Sequence, residues 1–130
     1  MRPLVLVADD HEDTRLLFRT VLEVRGYSVI EAADGEETVR TAESARPDLI
    51  LMDGGLPGMS GVDATRRIRS SDQIGHVPIV FISGYAGTAF IALAREAGCD
   101  EYIVKPFDLD LLEDVLGKYR GNQRPQTVAI

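Results

Sequence analysis

A doubly wound α/β fold on one five-stranded parallel sheet is what the sequence predicts, and three observations carry that prediction. Short apolar runs alternate strictly with segments of helical period, so the order reads βαβαβαβαβα. Three of the runs are nearly unbroken, which suits strands covered on both faces. The chain of 130 residues gives room for one domain. Parallel neighbours need crossovers, and right-handed crossovers put helices on both sides of the sheet.

The first strand is expected over residues 3–8, PLVLVA. A helix over 14–24 follows, with Leu16, Leu17, Val21, Leu22 and Val24 recurring at helical spacing and Gly26 as its stop. A strand over 28–32 leads into a weaker helix over 35–45, where Val39 and Ala42 face inward and Pro47 limits the end. The third strand covers 48–52, and a helix over 62–68 runs into a polar loop. The fourth strand covers 77–82, and its helix over 86–97 ends at Gly98. The last pair is a strand over 101–104 and a helix over 107–119 carrying Leu109, Leu112, Val115 and Leu116. The first, third and fourth strands, being the least interrupted, belong at the centre of the sheet. Residues 3–119 are expected to form the domain, and 120–130 a short, polar, frayed tail. Met1 so close to the first strand favours a natural start and leaves the C-terminal end open.

Composition narrows the function. The chain is 45% hydrophobic and 27% charged, with 14 basic and 21 acidic residues and a formal charge of −7. A sequence-independent grip on nucleic acid needs a basic face, so direct nucleic-acid binding is not expected. All the acids lie at or before Asp114, and Lys118, Arg120 and Arg124 follow them. Cys99 is the only cysteine, so neither an internal disulfide nor a thiolate metal cluster is available. No apolar run approaches the ~18 residues of a membrane span, and no signal peptide is apparent. A cytoplasmic protein without membrane attachment is expected.

In such a sheet, ligands bind outside the carboxyl ends of the strands, where the strand order reverses. The first strand ends in Asp9-Asp10, the third in Asp53, the fourth in Ser83 and the fifth in Lys105. Three carboxylates, a hydroxyl and an ammonium therefore converge on one edge, which packing does not explain. Taken alone, Asp9-Asp10 would read as a helix N-cap with a favourable dipole charge. Taken together, the five residues suit magnesium-assisted phosphoryl chemistry. Clustered carboxylates repel, a divalent cation relieves them, and Mg²⁺ favours one or two carboxylates plus waters. Lys105 and Ser83 could bind the remaining phosphoryl oxygens, and the Asp53 carboxylate could form an acyl phosphate.

The segments VLVADD, DLILMDGGLPGMSG, VPIVFISG and EYIVKPF resemble the receiver domain of two-component response regulators, over essentially residues 3–119. Ser83 lies thirty residues after Asp53 and Lys105 fifty-two after it, as that family requires. The resemblance implies the (βα)5 flavodoxin-like receiver fold. It implies Asp53 as phosphoacceptor, Asp10 as direct Mg²⁺ ligand, Asp9 as a ligand through water, and the Gly55 backbone carbonyl as a further ligand. It also implies Ser83 as switch hydroxyl, Lys105 as phosphate-binding lysine before a cis Pro106, and Tyr102 as switch aromatic. Its partners would be a histidine kinase or phosphotransfer protein, and it would assist only its own phosphorylation and dephosphorylation. Output would pass through a face of the fourth helix, fifth strand and fifth helix, towards an effector or a second copy. The chain departs from the family at Gly54-Gly55, where a bulkier pair is usual. That removes a side chain that could gate water, and Tyr85 could partly cover the site instead.

Other residues have blander readings. His11 and His76 read as solvated loop residues, Cys99 as a small buried filler, and Arg66, Arg67 and Arg69 as a solvated basic face. In the fourth helix a core role covers Phe90, Leu93 and Ala94 and leaves Ile91 a candidate for exposure. Two other functions stay open on the residues themselves. A phosphatase with an Asp nucleophile, of the haloacid dehalogenase-like kind, shares the site chemistry but wants Asp-x-Asp on its first strand. A flavodoxin-like cofactor binder shares the topology but wants Ser, Thr and Gly donors where this chain has ADDHED.

Overall fold

The computed structural model describes residues 2–119. The expected tail over 120–130 lies outside the described residues. The elements are β1 (Leu4–Ala8), α1 (Glu12–Val24), β2 (Ser28–Ala32), α2 (Gly35–Ala45), β3 (Leu49–Asp53), α3 (Gly61–Arg69), β4 (Ile79–Ser83), α4 (Thr88–Ala97), β5 (Glu101–Val104) and α5 (Leu109–Lys118). All the strands are parallel, in the order β2-β1-β3-β4-β5. The predicted fold is the one observed, with β1, β3 and β4 in the middle. The chain turns one way from β1 to β2 and the other way from β3 onward, so the switch point lies between β1 and β3.

Side chains on a strand alternate between faces, and here both faces are apolar. Leu6, Ile50, Met52, Ile79 and Phe81 pack with Val39, Ala42, Val62, Ile68, Ala94 and Ala97, which puts α2, α3 and α4 on one side. Val5, Val7, Leu51, Val80 and Ile82 pack with Phe18, Leu22, Leu112, Val115 and Leu116, which puts α1 and α5 on the other. Among the described residues the largest fully buried side chain is Phe81, on the inner strand β4.

Boundaries shift where backbone chemistry overrides periodicity. Pro78 lacks an N–H, and β4 begins one residue after it. Gly87 is the N-cap of α4, so that helix starts at Thr88 rather than 86. Asp108 caps α5 by accepting the Leu111 N–H, which moves its start from 107 to Leu109.

The inward face of α1 also differs from expectation. Phe18 and Leu22 are buried, whereas Leu16, Leu17 and Val24 are exposed. Phe18 stacks on Phe107 with ring centroids 6.2 Å apart, and that bulk selects the Phe18–Leu22 stripe over its apolar neighbours. Leu17, with Val21, Phe107 and Leu109, lines an open groove instead. In α4 the inward face is Phe90, Ala94 and Ala97, so Leu93 is exposed and Ile91 is partly buried, the reverse of the expected pair.

One close approach fixes how α2 meets the loop after β3. A Cβ on Gly35 would sit 1.9 Å from the carbonyl oxygen of Met59. Neither group is a flexible side-chain end, so Gly35→Ala must push the two backbones apart. It is expected to destabilise the fold by about 1–3 kcal/mol, as overpacking does, and urea denaturation would measure this.

Candidate functional site

Every polar residue expected at the carboxyl edge of the sheet is found there. Asp9 follows β1, Asp53 closes β3, Ser83 closes β4, and Lys105 follows β5. The Lys105 N–H donates to the Ser83 carbonyl at 2.8 Å, tying the ends of β4 and β5 together. The Lys105–Pro106 peptide is cis, as the resemblance implied.

The carboxylates differ in their surroundings. Asp9 is 2% exposed. Its Oδ1 accepts the His11 N–H at 2.8 Å, and its Oδ2 lies 3.6 Å from Lys105 Nζ. Asp10 is exposed, with Oδ1 3.0 Å from His11 Nδ1. Asp53 is partly buried, and its Oδ1 accepts the Gly55 N–H at 3.1 Å. One ligand atom from each of Asp9, Asp10, His11 and Asp53 can be chosen so that all lie within 4.8 Å of one another. This donor set fits a hard divalent cation, because three carboxylates this close need positive charge and oxygen is the donor such ions prefer.

Burial pushes the Asp53 carboxyl above the ordinary carboxylate value. The Gly55 N–H and the Lys105 ammonium pull it back, and the negative charges of Asp9 and Asp10 raise it again. Folded Asp53 thus holds its proton more tightly than unfolded Asp53, and its ionised form weakens the fold above that raised value. In chelator, Asp53→Asn is therefore expected to raise the melting temperature at neutral pH. The gain should fade as pH falls from the raised value to the ordinary one, where both states become protonated. Thermal melts of the two proteins across that interval check the sign.

An aromatic group stands beside the acids. Ser83 is buried, and its Oγ accepts the Tyr85 N–H at 3.1 Å. The Tyr102 ring stacks on Phe81 at 5.9 Å, and its hydroxyl donates to the Tyr85 carbonyl at 2.7 Å. Burial raises the Tyr102 hydroxyl above its usual value. The Phe90 ring centroid lies 5.0 Å from that of Tyr85 and 6.2 Å, edge-on, from that of Tyr102. A Cβ on Gly54 would lie 3.1 Å from both Phe90 Cε2 and Ser83 Oγ. Phe90 therefore fills the space beside Gly54 that a larger residue would claim. Helical periodicity alone assigns Phe90 only a core role, and the signal for its place beside the site is the Gly54-Gly55 pair, which leaves that volume free.

Residues 5–117 match the family model for the response regulator receiver domain. The chain belongs to that family. This receiver is 33% identical over 118 residues to the polar-differentiation response regulator DivK of Brucella anthropi, a match spanning 91% of this chain and 96% of that protein. It is 38% identical over 109 residues to the CAI-1 autoinducer sensor kinase/phosphatase CqsS of Vibrio cholerae, a match covering 83% of this chain and 16% of that protein. The receiver domain of a sensor histidine kinase from Pseudomonas aeruginosa superposes on it with a TM-score of 0.86 at 33% identity, covering 93% of this chain and 99% of that one. That structure has a magnesium ion coordinated in its active-site cleft. Membership of the receiver family sets aside the phosphatase and the flavodoxin-like cofactor binder.

Proposed function

We propose that this receiver accepts a phosphoryl group on Asp53 from a histidine kinase or phosphotransfer protein. The observation that supports it is the placement of Asp53, partly open to solvent, within 4.8 Å of the other acids at the switch point of the sheet. Asp9 is buried and engaged by His11 and Lys105, which suits a supporting role. In the transfer, a carboxylate oxygen of Asp53 forms the new bond to phosphorus as the bond to the donor imidazole nitrogen breaks. The imidazole leaves with the bonding pair and takes up a proton.

The residues that would hold Mg²⁺ are Asp10 and Asp53 directly, Asp9 through water, and the Gly55 carbonyl. The ion, when bound, supplies positive charge between these carboxylates and the phosphoryl oxygens. Lys105 and Ser83 take the remaining oxygens, and Lys105 leaves Asp9 to do so. Ser83 and Tyr102 are the switch pair. Tyr102 already reaches the loop after β4 through the Tyr85 carbonyl, so movement of Ser83 is felt at the face of α4, β5 and α5. That face, with Leu93 and Val104 exposed, is where an effector or a second copy would dock. The receiver unit is residues 3–119, it turns over no separate substrate, and it works in the cytoplasm. Among the described residues no helix is long and apolar enough to cross a membrane.

Beryllofluoride mimics the phosphoryl group and tests the assembly as a whole. Saturable binding that requires Mg²⁺ and is weakened about tenfold or more by Lys105→Ala supports the reading. Binding that survives chelator and Lys105→Ala contradicts it.

A further inference from the structure

His11 is the N-cap residue of α1, yet its side chain makes no capping hydrogen bond. Ser, Thr, Asp or Asn would ordinarily stand there and cap. The imidazole is instead turned back into the acids, with Nδ1 3.0 Å from Asp10 Oδ1 and 3.3 Å from Asp9 Oδ1. It is 71% exposed, so its direction is set by those carboxylates rather than by packing. Neighbouring donors on an octahedral ion with bonds of about 2.1 Å stand about 3.0 Å apart. Nδ1 thus lies one octahedron edge from Asp10 Oδ1, and His11 is one of the four residues that can each bring a donor atom within 4.8 Å of the others, Asp53 included.

We infer that His11 is a ligand residue of the cation site, turning an all-oxygen Mg²⁺ site into a mixed oxygen–nitrogen one that takes Co²⁺ and Ni²⁺ in preference to Mg²⁺. The inference rests on the proposed reading of Asp9, Asp10 and Asp53 as the cation site. Carboxylate and water suit Mg²⁺, whereas imidazole suits later first-row ions and adds little for Mg²⁺. Removing the imidazole should therefore cost the later ions far more than it costs Mg²⁺. A plain hydrogen bond from His11 to the acids would produce no such difference between ions. The other histidine, His76, precedes β4 at the opposite edge of the sheet and serves as an internal control.

The test is calorimetric titration of the full chain with Ni²⁺, Co²⁺ and Mg²⁺ separately, for wild type, His11→Asn, His11→Gln, His76→Asn and Asp10→Ala. His11 variants should lose about tenfold or more in Ni²⁺ and Co²⁺ affinity, with Mg²⁺ affinity changed less than about twofold. His76→Asn should change nothing. With Co²⁺, a paramagnetically shifted imidazole N–H resonance should appear in wild type and be absent from both His11 variants. Equal losses for all three ions, or a shifted resonance that survives in the His11 variants, would overturn the inference while leaving the acidic site intact. Mg²⁺ binding untouched by Asp10→Ala would instead overturn the reading on which it rests.

Discussion

Asp53→Ala is expected to take up no phosphoryl group from acetyl phosphate or from a phosphorylated kinase domain, with Mg²⁺ present. The effect is all-or-none because the neighbours cannot substitute. Asp9 is buried, with one oxygen accepting the His11 N–H and the other facing Lys105. Asp10 projects to solvent beside His11. Only Asp53 combines partial exposure, a place at the end of a central strand, and the Gly55 N–H orienting its carboxylate. Asp10→Ala should slow uptake through weaker cation binding and leave the acceptor unchanged. Radiolabelled donor and gel autoradiography measure both. Label on Asp53→Ala at the wild-type level would move the acceptor elsewhere.

Arg69→Ala is expected to remove about 3–5 kcal/mol of stability, the usual cost of stripping one partner from a buried charged pair. Arg69 closes α3, and its side chain is 13% exposed against 10% for Asp100. The guanidinium donates to the Gly98 carbonyl from Nε at 3.0 Å and from one terminal nitrogen at 2.8 Å. Its other terminal nitrogen donates to the Gly75 carbonyl at 3.1 Å and to the Val77 carbonyl at 2.6 Å. The pair to Asp100 Oδ2 is 2.9 Å, and that oxygen also accepts the Ile79 N–H at 2.9 Å. One side chain thus ties the end of α3 to the approach to β4, the C-cap of α4 and the approach to β5. Domains of this size hold ~5–15 kcal/mol in total, so the loss is a large share of it. Arg69→Lys should recover only part, since an ammonium lacks the planar fork. A loss under about 1 kcal/mol on urea denaturation would make Arg69 an ordinary surface ion pair.

The site was legible in the sequence for a physical reason. Polar residues at the ends of doubly buried strands have no packing role, so Asp9, Asp10, Asp53, Ser83 and Lys105 stood out against VLVA, LILM and IVFI. Strand centrality was legible in the same way, because β1, β3 and β4 carry no polar face. Helix faces were harder. In α1, apolar residues occupy more than one stripe, and the choice of Phe18–Leu22 depends on Phe107, a partner far along the chain. In α4, the register that buries Ala94 and Ala97 turns Leu93 outward, a rotation that the composition AFIALA cannot fix.

Arg69 was hidden for the opposite reason. Among Arg66, Arg67 and Arg69 the residue type says surface, and only the tertiary placement of four acceptors at one helix end distinguishes the third arginine. His11 likewise needs the backbone turn after β1 to bring its ring among the acids. Phe90 needs the missing side chain at Gly54, which the sequence displays, and the position of α4, which it does not.

The most direct test of the central claim is to locate the phosphoryl group itself. The protein, phosphorylated with Mg²⁺ and trapped by borohydride, would be digested and sequenced by mass spectrometry. Reduction converts a phosphoaspartate to homoserine, marking the acceptor position in the chain. Homoserine at position 53, and at no other position, is the predicted result. Homoserine at position 9 or 10, with an unaltered Asp53, would contradict it.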